Sequence, residues 1–112
     1  MPYEMLLALQ VHDPEQYQHY RDAMRPLLEQ HGGGFRYDFW VAETLAAETK
    51  NEINRVFVIY FADERQKNAF FSNPQYQVIK QKYFASSVSS TTVIAEYLVP
   101  ANTSGYSYIN RV

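Results

Sequence analysis

Three histidines and a charged, aromatic stretch around position 38 are the residues of this 112-residue chain best suited to chemistry. A metal centre needs three or four ligands converging at about 2 Å. His19 and His31 are twelve residues apart, which is roughly 18 Å along a helix, so they do not meet on one ion. His31 instead suits the negative end of a helix. His12 falls at a strand end and is the histidine placed to border a space between sheets. It is therefore the candidate haem ligand or general base, but neither a metal nor haem is expected, and no cofactor is predicted. The chain has no cysteine, which excludes disulfides and thiolate chemistry. Its serines cluster in Ser86-Ser87-Val88-Ser89-Ser90, a loop-like run that assembles no catalytic triad. Gly32-Gly33-Gly34 lacks a following lysine-serine or lysine-threonine pair and leads into a strand, so it reads as a turn and not as a phosphate loop.

Arg36, Asp38 and Trp40 alternate with Phe35, Tyr37 and Phe39. If the second set packs beneath helices, the first faces the opposite side of a sheet. There Trp40 and Tyr60 line an apolar pocket, and Arg36 or Arg55 binds a carboxylate or enolate. The plainer alternative, which these residue types favour, pairs Arg36 with Asp38 or sets them across a subunit seam. Tyr17, Tyr20, Tyr76 and Tyr83 fall at spacings that suit core and boundary packing, and Tyr76 is also a candidate for the pocket rim.

The elements that position these residues follow from hydrophobic period and capping. Tyr3–Val11 alternates as a strand, with Met5, Leu7, Leu9 and Val11 on one face. Asp13, Pro14 and Gln16 open a helix carrying Tyr17, Tyr20, Met24, Leu27 and Leu28 at helical spacing. Pro26 predicts a bend in it, and Gly32 its end. A second strand is predicted from Phe35 to Ala42, a polar connection from 43 to 54, and a third strand from Arg55 to Phe61. Asp63 and Gln66 open a second helix that breaks at Asn73-Pro74. It resumes with Tyr76, Ile79 and Tyr83. Thr91–Val99 is the fourth strand. Ten tyrosines and seven phenylalanines suit boundaries, pocket walls and interfaces.

The order β-α-β-β-α-β predicts an α+β, ferredoxin-like antiparallel sheet with two helices, the second broken, on one face. Residues 1–99 form a single domain. Residues 100–112 are a tail, flexible or adding an edge strand. The face without helices would carry Leu6, Ala8, Trp40, Val56, Val58 and Tyr60. At ~25 cal/mol per Å² of apolar surface, leaving it wet would forfeit several kcal/mol. A second copy is expected to cover it, giving a homodimeric α+β barrel. The phase of the third strand is decisive, because a one-residue slip would exchange Val56, Val58 and Tyr60 for Phe57, Ile59 and Phe61.

The net charge is −2 and the basic residues are scattered, so nucleic acid is not an expected partner. No apolar run approaches membrane-spanning length, and no export-signal pattern is visible. A cytoplasmic location is expected, with no membrane partner.

The sequence resembles the bacterial domain-of-unknown-function thirteen-thirty family of the dimeric α/β-barrel superfamily. The resemblance rests on Val11-His12-Asp13-Pro14-Glu15-Gln16-Tyr17-Gln18-His19-Tyr20, Ala23 with Pro26, the triple-glycine turn, Arg55-Val56-Phe57-Val58-Ile59-Tyr60-Phe61 and Ser72-Asn73-Pro74-Gln75-Tyr76-Gln77. It implies the same fold and a dimer. Tyr60 stands where the family usually has an acid, Asn73 where it has serine, and Lys80 or Lys82 where it often has arginine. Superfamily relatives include cofactor-independent monooxygenases, haem-degrading enzymes, muconolactone isomerase-like proteins and stress-responsive barrels, but a shared fold transfers none of these activities. The expectation is a homodimer holding a small, partly apolar organic molecule between helices and sheet or between the sheets. One alternative is cofactor-independent oxygenation or isomerisation, with His12 abstracting a proton and Arg36 or Arg55 stabilising the anion. Another is a non-catalytic stress-response or structural dimer.

Overall fold

Strand β1 (Tyr3–Val11) leads directly into helix α1 (Pro14–Gln30) in a computed structural model that describes residues 1–100. The side chain of Asp13 caps α1 by accepting from the Gln16 amide at 3.1 Å. Gln16 does not reach back to the cap. Its side chain points to the Lys82 carbonyl, 3.5 Å away. The helix runs through Pro26 and stops where Gly32 adopts φ 68°, a conformation that costs glycine little. At Gly33 a Cβ would meet the Tyr60 carbonyl oxygen at 2.6 Å, so the turn packs tightly on the third strand.

Strands β2 (Gly34–Trp40) and β3 (Arg55–Phe61) follow, joined by a segment without regular structure. Asn54 ties this segment to β1, accepting from the Val11 amide at 2.7 Å and donating to its carbonyl at 2.8 Å. Helix α2 (Glu64–Ser72) is capped by Asp63, which accepts from the Gln66 amide at 2.8 Å. Asn73, extended at ψ 125°, ends α2 and caps α3 (Pro74–Ile79), the break expected before Pro74. A π-helical turn, Lys80–Phe84, continues to β4 (Val88–Leu98). That strand begins at Val88, inside the serine run expected to be a loop, because Val88 pairs with Val11. The expectations for residues 101–112 lie outside the described residues.

The four strands form one antiparallel sheet in the order β2-β3-β1-β4. Opposite Met5, Leu7 and Leu9 of β1 stand Ile59, Phe57 and Arg55 of β3. All six face the helices, and the five apolar ones join Tyr17, Tyr20, Met24, Leu27, Leu28, Phe61, Phe70 and Tyr76 around one core. Val56, Val58 and Tyr60 alternate to the other side, opposite Ala8, Leu6 and Glu4. The third strand thus has the expected phase.

The second strand does not keep one phase throughout. Its register slips between Phe35 and Tyr37, so the ladder with β3 passes over Arg36. Such a bulge places two neighbouring residues on one side. Phe35 faces the helices opposite Ile59, Tyr37 turns away opposite Val58, and every later residue is shifted. Tyr37 and Phe39, expected under the helices, lie on the open face and are about half exposed, at 51% and 52%. Asp38 and Trp40, expected on the open face, lie on the helix side opposite Phe57 and Arg55.

Candidate functional site

The bulge in β2 separates the polar residues into two clusters. On the helix-free face, the almost fully buried carboxylate of Glu4 accepts from Arg36 Nε at 2.8 Å and from the Tyr97 hydroxyl at 3.0 Å. The Arg36 guanidinium lies over the Tyr60 ring, 3.9 Å from its centroid. Arg36 therefore does not pair with Asp38, as was expected. The extra residue at the bulge sends them to opposite faces of the sheet.

On the helix side, Asp38 is shared by two arginines. Its Oδ1 accepts from Arg55 Nε at 2.7 Å and its Oδ2 from Arg55 Nη2 at 2.8 Å. Arg21 Nη2, from α1, also donates to Oδ2. Arg55 stands against Trp40, 4.3 Å from the ring, and Tyr17, 5.0 Å from it. The Arg21 guanidinium stacks on Phe35 at 3.4 Å. The hydrogen bond to Asp38 holds the Arg55 pKa above the usual arginine value. Burial pushes Arg21 below it. Arginine starts so high that both remain cations at neutral pH. Two buried cations thus face one carboxylate.

A cavity of about 240 Å³ lies beside this cluster, between the sheet and the helices. Its walls are mainly Met5, Leu7, Leu9, Met24, Phe57, Ile59, Phe70 and Tyr76. Exposed Lys80, Thr91 and Val93 also line it, so it meets solvent between the π-helical turn and the β4 edge. Arg21, Tyr17 and Phe35 belong to the wall as well. Tyr20 and Tyr76, both in the wall, join hydroxyls at 2.8 Å. Burial holds the pKa of Tyr20 well above that of free tyrosine, reinforced by Tyr76, and burial also raises that of Tyr76. Burial likewise raises that of Tyr17 against the opposing charges of Arg21 and Arg55. These phenols keep their protons.

Two buried polar atoms of residues in this wall, the Tyr17 hydroxyl and Arg21 Nη1, make no well-formed hydrogen bond among the described residues, although the two side chains approach each other. Among the described lining residues there is no carboxylate and no imidazole. The wall can donate hydrogen bonds and offer positive charge, but it holds no ready proton acceptor for base chemistry.

The candidate residues read from the sequence are only partly brought together. Asp38, Arg55 and Trp40 converge beside the cavity, and Tyr76 lines it. Arg36 and Tyr60 form a separate group on the opposite face. His12 is exposed beyond β1, where its amide donates to the Ser87 carbonyl at 2.9 Å. It is not part of the cavity wall and does not stand where a base would, because Val11 is the last residue of β1 and the chain turns out into the α1 cap. His19 stacks near Tyr83, and His31 Nδ1 meets Gln66 Oε1 at 2.8 Å. No group of three potential metal ligands occurs among the described residues, and no described helix is long and apolar enough to cross a membrane.

Sequence reasoning missed Arg21 and Glu4. Arg21 nevertheless had a signal: it lies four residues after Tyr17 and three before Met24, inside the apolar stripe of α1. Glu4 had a weaker one, an acid on a strand face otherwise carrying Leu6 and Ala8.

The chain is similar in structure to the RPA0582 protein of unknown function from Rhodopseudomonas palustris, at 19% identity and TM-score 0.71, over 88% of this chain and 84% of that one. It is also similar to SnoaB, a cofactor-independent oxygenase from Streptomyces nogalater, at 11% identity and TM-score 0.59, over 92% and 97%. A third similar structure is a dimeric ferredoxin-like protein of unknown function from Jannaschia, at 15% identity and TM-score 0.55, over 88% and 100%. At these identities the likeness shows a shared ferredoxin-like fold. No curated protein matches the sequence. The family model described as Domain of unknown function (DUF1330) matches residues 3–97, and the chain belongs to that family.

Proposed function

We propose that this protein is a homodimer that binds a small, largely apolar organic molecule in the cavity between its helices and sheet. The cavity itself carries this reading: about 240 Å³ walled mainly by aliphatic and aromatic side chains, with a few polar groups. That composition is typical of ligand sites, although drug-sized ligands use larger ones. An apolar cavity of about 150 Å³ takes up benzene. The space here suits one ring with a short substituent. Binding fits the wall better than proton abstraction does, because Tyr17, Tyr20 and Tyr76 hold their protons and Arg21 is cationic.

Amide NMR spectra recorded during titration with toluene and with indole test this. Shifts centred on Phe57, Ile59 and Phe70, lost in Val93→Trp at the cavity mouth, are expected. Shifts confined to other surfaces, or none, would refute the reading.

The dimer is supported by the helix-free face. Tyr37 and Phe39 are about half exposed there, beside partly buried Leu6, Val56 and Val58. An apolar patch of this kind marks an interaction surface, and a structure of similar fold is described as dimeric. Sedimentation velocity at micromolar concentration should give a dimer; a stable monomer would reject this part of the proposal.

A further inference from the structure

We infer that the ligand of this cavity is a small monocarboxylic acid whose carboxylate is received by Arg21 and Tyr17 and whose apolar body lies among Phe57, Phe70 and Tyr76. The inference rests on the cavity being a ligand site and specifies the ligand's chemical class.

Three features lead to an anion. Arg21 and Arg55 share the single carboxylate of Asp38, so the buried cluster carries one excess positive charge. Arg21 and Tyr17, both residues of the cavity wall, approach each other, yet the buried Arg21 Nη1 and Tyr17 hydroxyl make no well-formed hydrogen bond among the described residues. The charged residues among the described lining are Arg21 and Lys80, both cations. A carboxylate answers all three. It neutralises the excess charge, accepts from Nη1 with one oxygen, and accepts from the phenol with the same or the other. Arginine is suited to this because its planar fork presents separate edges. Nη2 is committed to Asp38, while Nη1 remains for a second anion. Asp38 also fixes the guanidinium against Phe35, so it is oriented before any ligand arrives. A neutral ring would leave the phenol hydrogen and the surplus cation without an acceptor. The dimensions favour a single ring or branched chain bearing one acid group.

Calorimetric titration of the full chain with phenylacetate, phenylacetamide and toluene tests this. Phenylacetate is expected to bind at least tenfold more tightly than its amide. Tyr17→Phe, which keeps the ring, should reduce that ratio severalfold and leave toluene binding unchanged. Arg21→Met should abolish the ratio. If its loss of the Asp38 bond prevents folding, Tyr17→Phe alone decides. Equal affinity of the wild type for acid and amide, or a ratio untouched by Tyr17→Phe, would overturn the carboxylate assignment while toluene binding upholds the cavity. Failure of all three compounds to bind would overturn the cavity reading and the assignment with it.

Discussion

Arg55 grips Asp38 from the neighbouring strand with two nearly parallel hydrogen bonds, 2.7 and 2.8 Å long. The two side chains meet because the β2 bulge brings Asp38 to the helix side, opposite Phe57 and two register positions from Arg55 on the same face. The same carboxylate reaches Arg21 on α1. One acid therefore joins the second strand, the third strand and the first helix at the edge of the cavity.

Removing that acid strands two guanidiniums that are 8% and 11% exposed. Asp38→Asn should destabilise the fold by about 3 kcal/mol, the scale for breaking a buried ion pair from one side. Urea unfolding followed by circular dichroism measures this. A change below about 1 kcal/mol would show that Asp38 is not the anchor described.

Tyr17→Phe has the opposite expectation. The hydroxyl makes only a loose approach to Arg21 and no well-formed hydrogen bond among the described residues, and the ring contacts with Tyr20, Arg21 and Arg55 survive its removal. Stability of the unliganded protein should be unchanged or rise by about 1 kcal/mol. A loss of more than that in the same urea assay would mean that the hydroxyl makes a stabilising hydrogen bond.

Alkaline pH should weaken the fold in a defined window. The Tyr3 pKa is pushed up to about 12, chiefly by its hydrogen bond to Glu96, and burial raises those of Tyr17, Tyr20 and Tyr76. These phenols keep protons in the folded state that the unfolded chain gives up near pH 10. Above that point the unfolded state binds fewer protons, so stability falls as pH rises. The slope is ~1.4 kcal/mol per pH unit for each buried tyrosine still protonated only in the fold. Melting temperature should be flat from pH 8 to 9.5 and drop beyond it. Absorbance at 295 nm should show a tyrosine class ionising only with unfolding. Uniform ionisation near pH 10 with the fold intact would contradict the burial described.

The helix-free face yields a prediction about assembly. In a two-fold dimer each substitution appears twice, and burying a phenylalanine contributes ~1.5–3 kcal/mol. Phe39→Lys should therefore weaken dimerisation at least a hundredfold without unfolding the protomer. Sedimentation equilibrium would show this, and an unaltered dimer would exclude Phe39 from the interface.

Much of this arrangement was legible in sequence because capping and alternation are local. Asp13, Asp63 and Asn73 mark their helix starts. Arg55–Phe61 is apolar on both faces, so its phase is assigned in sequence without a clear polar alternation, and the alternating burial of β3 agrees with that assignment. The phase of β2 was not legible. Phe35, Tyr37 and Phe39 alternate without interruption, and nothing in that pattern signals the extra residue at Arg36. The bulge is set by tertiary contacts: Arg36 reaches Glu4 on one side while Asp38 reaches Arg55 and Arg21 on the other. The same displacement explains why Trp40 and Tyr60, expected to share a pocket, lie on opposite faces. The cavity depends on how far α1 and the α2–α3 pair stand from the sheet, which no local pattern encodes. Arg21 was legible as a charge within an apolar stripe, but its role needed Asp38 to be on the same side.

A crystal soaked in iodobenzene tests the central claim most directly, since the anomalous signal of iodine locates the compound without bias from the protein. The account predicts an ordered iodine site enclosed by Phe57, Phe70 and Tyr76, absent from Val93→Trp crystals. Iodine found only on outer surfaces, with those side chains closed against one another, would contradict it.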